Sequence, residues 1–164
     1  MYRLVAGMVP ECRLALIMSL TNITSDDIRK GLKYYLVNGY NNDTLKMIFG
    51  KTLDDIYKAL TRLNEISEKI EKYKEIIIEH QKAPQETIRI EGVEILFQLV
   101  RVDNDKVEQA AIERVVTGSS FRALGKKHNV QEKSIRRACE RYNTVESVVS
   151  EIAKGDSIYW REVS

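Results

Sequence analysis

The apolar residues of this chain recur at intervals of three and four, which is the period of helices that bury one face. Ile28, Leu32 and Leu36 form one such stripe in the first half of the chain. A longer stripe begins at Ile56 and continues at the same spacing as far as His80. Both halves show this pattern throughout, so the sequence predicts an all-α fold.

The ends of these stripes carry residues that are typical of helix caps. Ser25 precedes two aspartates, so we expect it to be the N-cap of a helix whose dipole favours negative charge in the first turn. Gly39 is expected to end this helix in the left-handed conformation, and Gly155 to end the last helix of the chain. The other predicted boundary residues are Asn42, Gly50 and Thr52 in the first half and Asn104, Gly118, Ser120 and Gln131 in the second.

The second half of the chain repeats the first without a gap at one constant offset, which takes Asp26 to Asp105 and is called the repeat spacing below. Apolar positions stay in phase across the comparison, which covers about Glu11–Tyr73 and Ile90–Ile152. We interpret this as a diverged tandem duplication. The identical pairs include Asp26/Asp105, Val37/Val116, Gly39/Gly118, Leu45/Leu124, Ile56/Ile135, Ala59/Ala138, Arg62/Arg141 and Asn64/Asn143.

In the second copy, Ser120–Ala138 has the pattern of a helix-turn-helix, in which a short helix, a tight turn and a longer helix contact DNA. Small Ala123 is expected to let the two helices approach closely. Val130 is expected to fill the turn, and Ile135 to face the core with Ala138. The exposed side chains of the longer helix would then reach base edges: Gln131, Lys133, Ser134, Arg136 and Arg137.

The two copies differ in the net charge of their helix-turn-helix regions. Gly118–Asn143 holds seven basic and two acidic residues, a net charge of +5, although the whole chain carries only +2. The matching window, Gly39–Asn64, holds four basic and three acidic residues, a net charge of +1. We therefore expect the second copy to be the stronger DNA reader, the alternative being that its basic run is only a solvated helix face. The expected backbone contacts are Arg122, Lys126, Lys127 and Arg141, and the candidates in the first copy are Lys51, Thr52, Lys58 and Arg62.

A polar stretch around Pro84 separates the two periodic regions and predicts a domain boundary. We expect two tandem helix-turn-helix domains, each of about four helices with a long final helix. The first comprises residues 1–82, the linker residues 83–89, and the second, more basic domain residues 90–164. The long helices carry a heptad-like apolar seam, which can pack within the chain or support self-association.

The segments Asp26–Ile28 and Tyr35–Gly39, with the apolar spacing that follows them, resemble the PapB family of adhesin biosynthesis transcription regulators. The apolar residues concerned are Leu45, Ile56, Leu60 and Leu63. The second copy is similar to the KorA-type plasmid repressors through Val116-Thr117-Gly118 and the helix-turn-helix. These resemblances imply a bacterial regulator of fimbrial or plasmid genes that binds AT-rich promoter DNA as an oligomer. The tandem copy departs from the single domain of most family members and leaves two alternatives open: one chain acts as its own pseudo-dimer, or the weakly basic first copy serves only in assembly.

Other function classes have less support in the sequence. We expect no enzyme, no cofactor, no metal site and no small-molecule substrate, because there is no glycine-rich phosphate loop and no nucleophile beside a histidine. No apolar run approaches the ~18 residues of a membrane helix, so we expect a cytoplasmic, nucleoid-associated protein. The main alternative is a protein–protein adaptor or anti-activator that docks through the long helices and an exposed Tyr159-Trp160 tail. RNA binding is a lesser variant, because no aromatic stacking platform is visible.

Overall fold

The structure is a computed structural model that describes the backbone of residues 4–79 and 85–163 and the side chains of residues 4–76 and 90–156. This part of the chain forms eight α-helices and no strand, which confirms the all-α fold class. None of the described helices is both long enough and apolar enough to cross a membrane. The helices are α1 Glu11–Ser19, α2 Asp26–Leu36, α3 Asn42–Phe49, α4 Leu53–Glu79, α5 Gln85–Phe97, α6 Asp105–Thr117, α7 Phe121–His128 and α8 Glu132–Val163.

Three pairs of helices begin at a constant offset. α2, α3 and α4 begin at residues 26, 42 and 53, and α6, α7 and α8 begin at residues 105, 121 and 132. The offset is the same for each pair of starts, and it equals the repeat spacing of the sequence. Residues compared across this spacing therefore occupy the same place in corresponding helices.

The chain divides into two compact units. Unit 1 consists of Met1–Glu68 and Lys154–Ser164, and unit 2 consists of Lys69–Ala153. The long helices α4 and α8 therefore each contribute to both units. Of the predicted linker, residues 83 and 84 lie outside the described residues, and residues 85–89 belong to α5.

In unit 1, the ends of α2 and α3 show which caps the sequence located correctly. Ser25 Oγ accepts a hydrogen bond from the backbone N–H of Ile28, as predicted. The N-cap of α3 is Asn41 and not the predicted Asn42, because the extended backbone of Asn41 brings its Oδ1 within 2.9 Å of the N–H of Thr44. Asn42 is instead the first residue of α3.

Gly39 has a positive φ of 72°, but it does not directly end α2. The helix ends at Leu36, and its C-cap Val37 keeps a right-handed conformation. Gly39 lies against the N-terminal segment, where a Cβ on Gly7 would come within 3.1 Å of the Gly39 Cα. Because Gly7 N–H donates to the Tyr35 carbonyl at 3.2 Å, the two glycines let this segment pack on the end of α2.

In unit 2, the predicted caps of α6 are confirmed. Asn104 Oδ1 accepts hydrogen bonds from two N–H groups in the first turn, and Gly118 ends the helix with a φ of 73°. The Phe97 and Tyr142 rings stack with their centroids 5.0 Å apart in the core. The other buried apolar residues of this core include Val93, Leu96, Val107, Ala110, Ala111, Leu124, Ile135, Ala138, Val145, Val149 and Ile152.

The last helix is longer than the sequence predicted. α8 continues through Gly155 and reaches Val163. One glycine inside a helix costs only about 1 kcal/mol relative to alanine, and the next residue supplies a compensating contact. The buried Asp156 carboxylate lies 2.5 Å from Arg13 Nη1 of α1, so the helix remains anchored in unit 1 beyond the glycine. The predicted exposure of Tyr159 and Trp160 concerns side chains outside the described residues.

Candidate nucleic-acid interface

Helix α7, the turn after it and the first turns of α8, residues 121–141, form the second hairpin. Ser120 Oγ accepts from the N–H of Ala123 and caps α7, as predicted. The turn contains Asn129 in the left-handed conformation, with a φ of 54°, which asparagine tolerates better than most residues. α8 begins at Glu132, one residue after the predicted Gln131, and the Gln131 carbonyl accepts from the N–H of Ser134. The segment is therefore a tight hairpin of two helices.

Gly125 is the residue that lets the two helices approach each other. A Cβ at this position would lie 3.0 Å from the Val130 carbonyl oxygen and 3.4 Å from Glu132 Cγ. The prediction that Ala123 has this role is wrong, because Ala123 is exposed on the outer side of α7. Only the absence of a side chain at Gly125 allows α7 to pack this closely on the turn.

The opposite sides of α8 differ sharply in exposure. Ile135 and Ala138 are buried, as predicted, and Val130 is half-buried at the turn. Ser134 is half-buried, which makes it less accessible than the sequence indicated. It lies at an open cleft of 430 Å³ between the beginnings of α6 and α8. The other predicted base-contacting residues are exposed: Gln131, Lys133, Arg136 and Arg137.

Phe121, the first residue of α7, contacts the guanidinium groups of two arginines. The guanidinium carbon of Arg136 lies 4.6 Å from the centroid of the phenyl ring, and that of Arg114 lies 4.8 Å from it. Arg114 also donates hydrogen bonds to the carbonyl groups of Gly118 and Ser119. The sequence pattern gives no sign of the roles of Phe121 and Arg114, because these roles depend on contacts between three helices.

Two of the predicted phosphate-contacting residues already have partners within unit 2. Lys127 Nζ lies 2.8 Å from both carboxylate oxygens of Glu113 on α6, and His128 Nε2 lies 2.8 Å from one of them. The hydrogen bond from Lys127, followed by that from His128, lowers the pKa of Glu113. Arg141 Nη1 donates to the Arg101 carbonyl oxygen at 2.6 Å.

The remaining two predicted phosphate contacts are accessible. Arg122 and Lys126 are exposed on α7 and form no ion pair with any side chain that the structure describes. Both residues belong to the helix that precedes the turn. They can therefore approach a ligand at the outer side of the hairpin without first breaking an ion pair.

The corresponding part of unit 1, residues 42–62 of α3 and α4, forms the first hairpin. Here side chains bind the first N–H groups of the long helix. Asp55 Oδ2 accepts from the N–H and the hydroxyl of Thr52 at 2.6 and 2.9 Å, and Asn42 Oδ1 accepts from the N–H of Leu53 at 2.8 Å. The backbone hydrogen bond from Thr52, followed by that from its hydroxyl, lowers the pKa of Asp55.

The second hairpin lacks this internal capping. At the repeat spacing, Ser134 stands in the place of Asp55, and Phe121 stands in the place of Asn42. In the described part of the chain, no side chain accepts a hydrogen bond from the backbone N–H of Gln131 or Glu132. The N-terminus of α8 therefore has backbone donors that can bind an external acceptor, whereas that of α4 is closed by its own carboxylate.

The candidate DNA-contacting residues of the first hairpin also include both accessible and engaged side chains. Lys58 and Arg62 are exposed, whereas Lys51 is half-buried and Thr52 is engaged by Asp55. The exposed charged residues of the first hairpin comprise three of each sign, so its exposed surface is neutral. Those of the second hairpin comprise seven basic and two acidic residues, a net charge of +5.

Comparison with known proteins gives no relative for this chain. No family model matches it, and no curated protein or solved structure is significantly similar to it. The resemblance to the PapB and KorA families stays a prediction that depends on the residues quoted above.

Proposed function

We propose that this protein is a transcriptional regulator that binds duplex DNA through the second hairpin, used as a helix-turn-helix. The observation that carries this proposal is the net charge of +5 on the exposed residues of that hairpin, together with the open N-terminus of α8. Exposed positive charge supplies affinity for the phosphate backbone, and an accessible helix of this length fits the major groove.

Base contacts would come from the exposed side of the first turns of α8. Gln131, Lys133 and Arg136 lie there, and Arg136 is already held on the ring of Phe121. A planar guanidinium can bind guanine through two hydrogen bonds, and such a contact discriminates against a wrong base by about 1–3 kcal/mol. Ser134, which is half-buried, would contact DNA only at the edge of this surface.

Contacts to the DNA backbone would set the position of the helix in the groove. Arg122 and Lys126 supply free cations, and the N–H groups of Gln131 and Glu132 supply donors at the positive end of a helix dipole. Lys127 would join them only by leaving Glu113. Each phosphate contact releases counterions, so the affinity should fall steeply as salt is added.

We propose that the first hairpin does not read bases. Asp54 stands where the second hairpin has Lys133, and Asp55 closes the N-terminus of α4. Both carboxylates would repel phosphate groups. Lys58 and Arg62 can still contribute weak backbone contacts. One chain would then read one half-site, and tandem helix-turn-helix domains would have different tasks.

The biological setting follows from the resemblance to the PapB and KorA families and is part of the same proposal. It comprises an AT-rich promoter site, fimbrial, adhesin or plasmid genes as targets, and association with the nucleoid. Self-association through the seams of the long helices remains a prediction. Seam residues such as Leu63, Ile70, Tyr142 and Val149 are already buried within this chain, so another surface is a better candidate.

The test measures the binding of a fluorescently labelled AT-rich duplex to the full chain. Fluorescence anisotropy gives the affinity at several salt concentrations. Phosphate contacts by the two cations Arg122 and Lys126 would give a slope of log K against log salt of roughly −2, and each further phosphate contact would steepen it by about 0.9. A helical adaptor is the second candidate function, favoured by the exposed apolar residues of the first hairpin. It would show no DNA binding at low salt, and its apolar contacts with a protein would respond little to salt.

A further inference from the structure

Three large apolar side chains are exposed on the first hairpin. Met47 and Ile48 on α3 are 80% and 55% exposed, and Tyr57 on α4 is 63% exposed. A single exposed apolar residue is ordinary on a protein surface. Three of them within one short hairpin need an explanation, because methionine and tyrosine are enriched where proteins contact each other.

The positions of these residues are informative. At the repeat spacing, Lys126, Lys127 and Arg136 of the second hairpin stand where the first hairpin has Met47, Ile48 and Tyr57. Cations thus occupy three positions of the hairpin that is proposed to bind DNA, and apolar side chains occupy the same positions of the other. This exchange removes charge that would attract phosphate. It also adds apolar surface, whose burial away from water is favourable.

The exposed charges of the first hairpin indicate which kind of partner its apolar residues contact. The exposed charges of the first hairpin are three acidic residues, Asp43, Asp54 and Asp55, and three basic residues, Lys46, Lys58 and Arg62. In a two-fold interface a surface meets a copy of itself, so a surface with both signs can pair unlike charges across the axis. The second hairpin, with its net charge of +5, would repel its own copy.

We propose that the first hairpin docks through Met47, Ile48 and Tyr57 on the same residues of a second copy of this chain. The resulting two-fold dimer carries two DNA-reading hairpins, one from each chain. This dimer contact goes beyond the proposed DNA contact, involves different residues and is tested separately from it.

The first experiment compares the full chain with the triple variant Met47→Ser, Ile48→Ser and Tyr57→Ser by sedimentation velocity over a concentration series. These changes leave the net charge unaltered and affect exposed side chains, so the helical circular dichroism should be preserved. The wild type should sediment as a dimer in the tens of micromolar range. The triple variant should be monomeric, with a dissociation constant raised by at least about tenfold, as expected for central interface residues.

The matched control is the double variant Val5→Ser and Met8→Ser. It also removes exposed apolar side chains of unit 1, which are 53% and 68% exposed, but from the N-terminal segment. This control should dimerise like the wild type. A second variant, Met47→Lys with Tyr57→Arg, introduces the residues of the second hairpin and should also be monomeric, through charge repulsion as well as lost apolar contact.

A wild type that remains monomeric at the highest concentration would overturn the proposal, even if it bound some other protein. Unchanged dimerisation of the folded triple variant would overturn it too. A measurement of DNA binding distinguishes failure of the dimer proposal from failure of the proposed function. The triple variant should bind a short duplex with a single half-site as tightly as the wild type. If neither the wild type nor the triple variant binds DNA while the wild type still dimerises, the proposed function is refuted and the dimer interface is not.

Discussion

Arg136 lies over the ring of Phe121, with its guanidinium carbon 4.6 Å from the ring centroid. Arg114 also lies over this ring and is itself bound to two backbone carbonyl groups. Arg136 is thus oriented before any ligand arrives, although it remains exposed. An arginine that is ordered in advance loses less conformational entropy when it forms hydrogen bonds with a base.

The change Phe121→Leu should weaken DNA binding more than it weakens the fold. Leucine keeps an apolar side chain at this position but removes the aromatic face, and a cation–π contact at an exposed site contributes about 0.5–1 kcal/mol. We expect a loss of affinity of roughly two- to fivefold, measured by anisotropy, with a similar melting temperature. Phe121→Tyr should bind like the wild type. Equal affinity of wild type and Phe121→Leu would show that the ring does not orient Arg136.

The change Ser134→Asp should separate stability from DNA binding. It places a carboxylate where Asp55 caps α4, so the melting temperature should stay the same or rise. The affinity for DNA should fall by at least about tenfold, because the new charge opposes phosphate at the start of the helix that is proposed to read DNA. The neutral variant Ser134→Asn is the control for side-chain size. If the Asp and Asn variants bind DNA equally well, the N-terminus of α8 is not part of the interface.

The contribution of Glu113 to stability should depend on pH. The hydrogen bonds from Lys127 and His128 lower its pKa from the ordinary 4.5, so the folded state favours the charged carboxylate. The stabilisation is therefore fully present above pH 4.5 and is lost as the pH falls through the lowered pKa. Denaturant unfolding of Glu113→Gln should show lower stability than the wild type at neutral pH and a shrinking difference at acid pH. A pH-independent difference would contradict this account.

The same variant should bind DNA more tightly. Glu113→Gln releases Lys127 from its ion pair and leaves the cation available for a phosphate contact. One additional contact should steepen the slope of log K against log salt by about 0.9. In the Lys127→Ala background the substitution should have no such effect. A slope that is equally steep in wild type and Glu113→Gln would show that Lys127 lies away from the DNA.

Two helical glycines should respond oppositely to alanine. Gly125→Ala places a Cβ 3.0 Å from the Val130 carbonyl oxygen, so it should destabilise the protein by about 1–3 kcal/mol through overpacking. Gly155 has no atom within 4 Å of an added Cβ, and Gly155→Ala should stabilise α8 by roughly 0.5–1 kcal/mol. Thermal unfolding of both variants checks the pair. Stabilisation by Gly125→Ala would mean that α7 and α8 are packed less closely than described.

The features that the sequence predicted correctly are those that depend on near neighbours. Ser25, Asn104 and Ser120 each cap a helix through an N–H group two or three residues away. Gly50 and Gly118 take the left-handed conformation at helix ends. The burial of apolar stripes also follows from spacing alone, so the starts of α2, α3, α4, α6, α7 and α8 could be located within a residue or two.

Contacts between distant residues could not be predicted in this way. Glu113 is 14 residues from Lys127, and nothing in the spacing of the basic residues shows that one of them is already paired. α8 continues past Gly155 where Asp156 binds Arg13, 143 residues away. The choice between Ala123 and Gly125 depended on which side of α7 faces the turn, and composition alone does not determine that side.

The second hairpin is proposed to read DNA and the first is not. The most direct test compares two charge-matched variants by anisotropy with an AT-rich duplex: Arg136→Ala with Arg137→Ala, and Lys58→Ala with Arg62→Ala. Each pair removes two exposed cations, one pair from each hairpin. We expect the first pair to lower the affinity by at least about tenfold and the second pair to lower it by about twofold or less. Equal losses in the two folded variants, or no DNA binding by the wild type at low salt, would contradict this proposal.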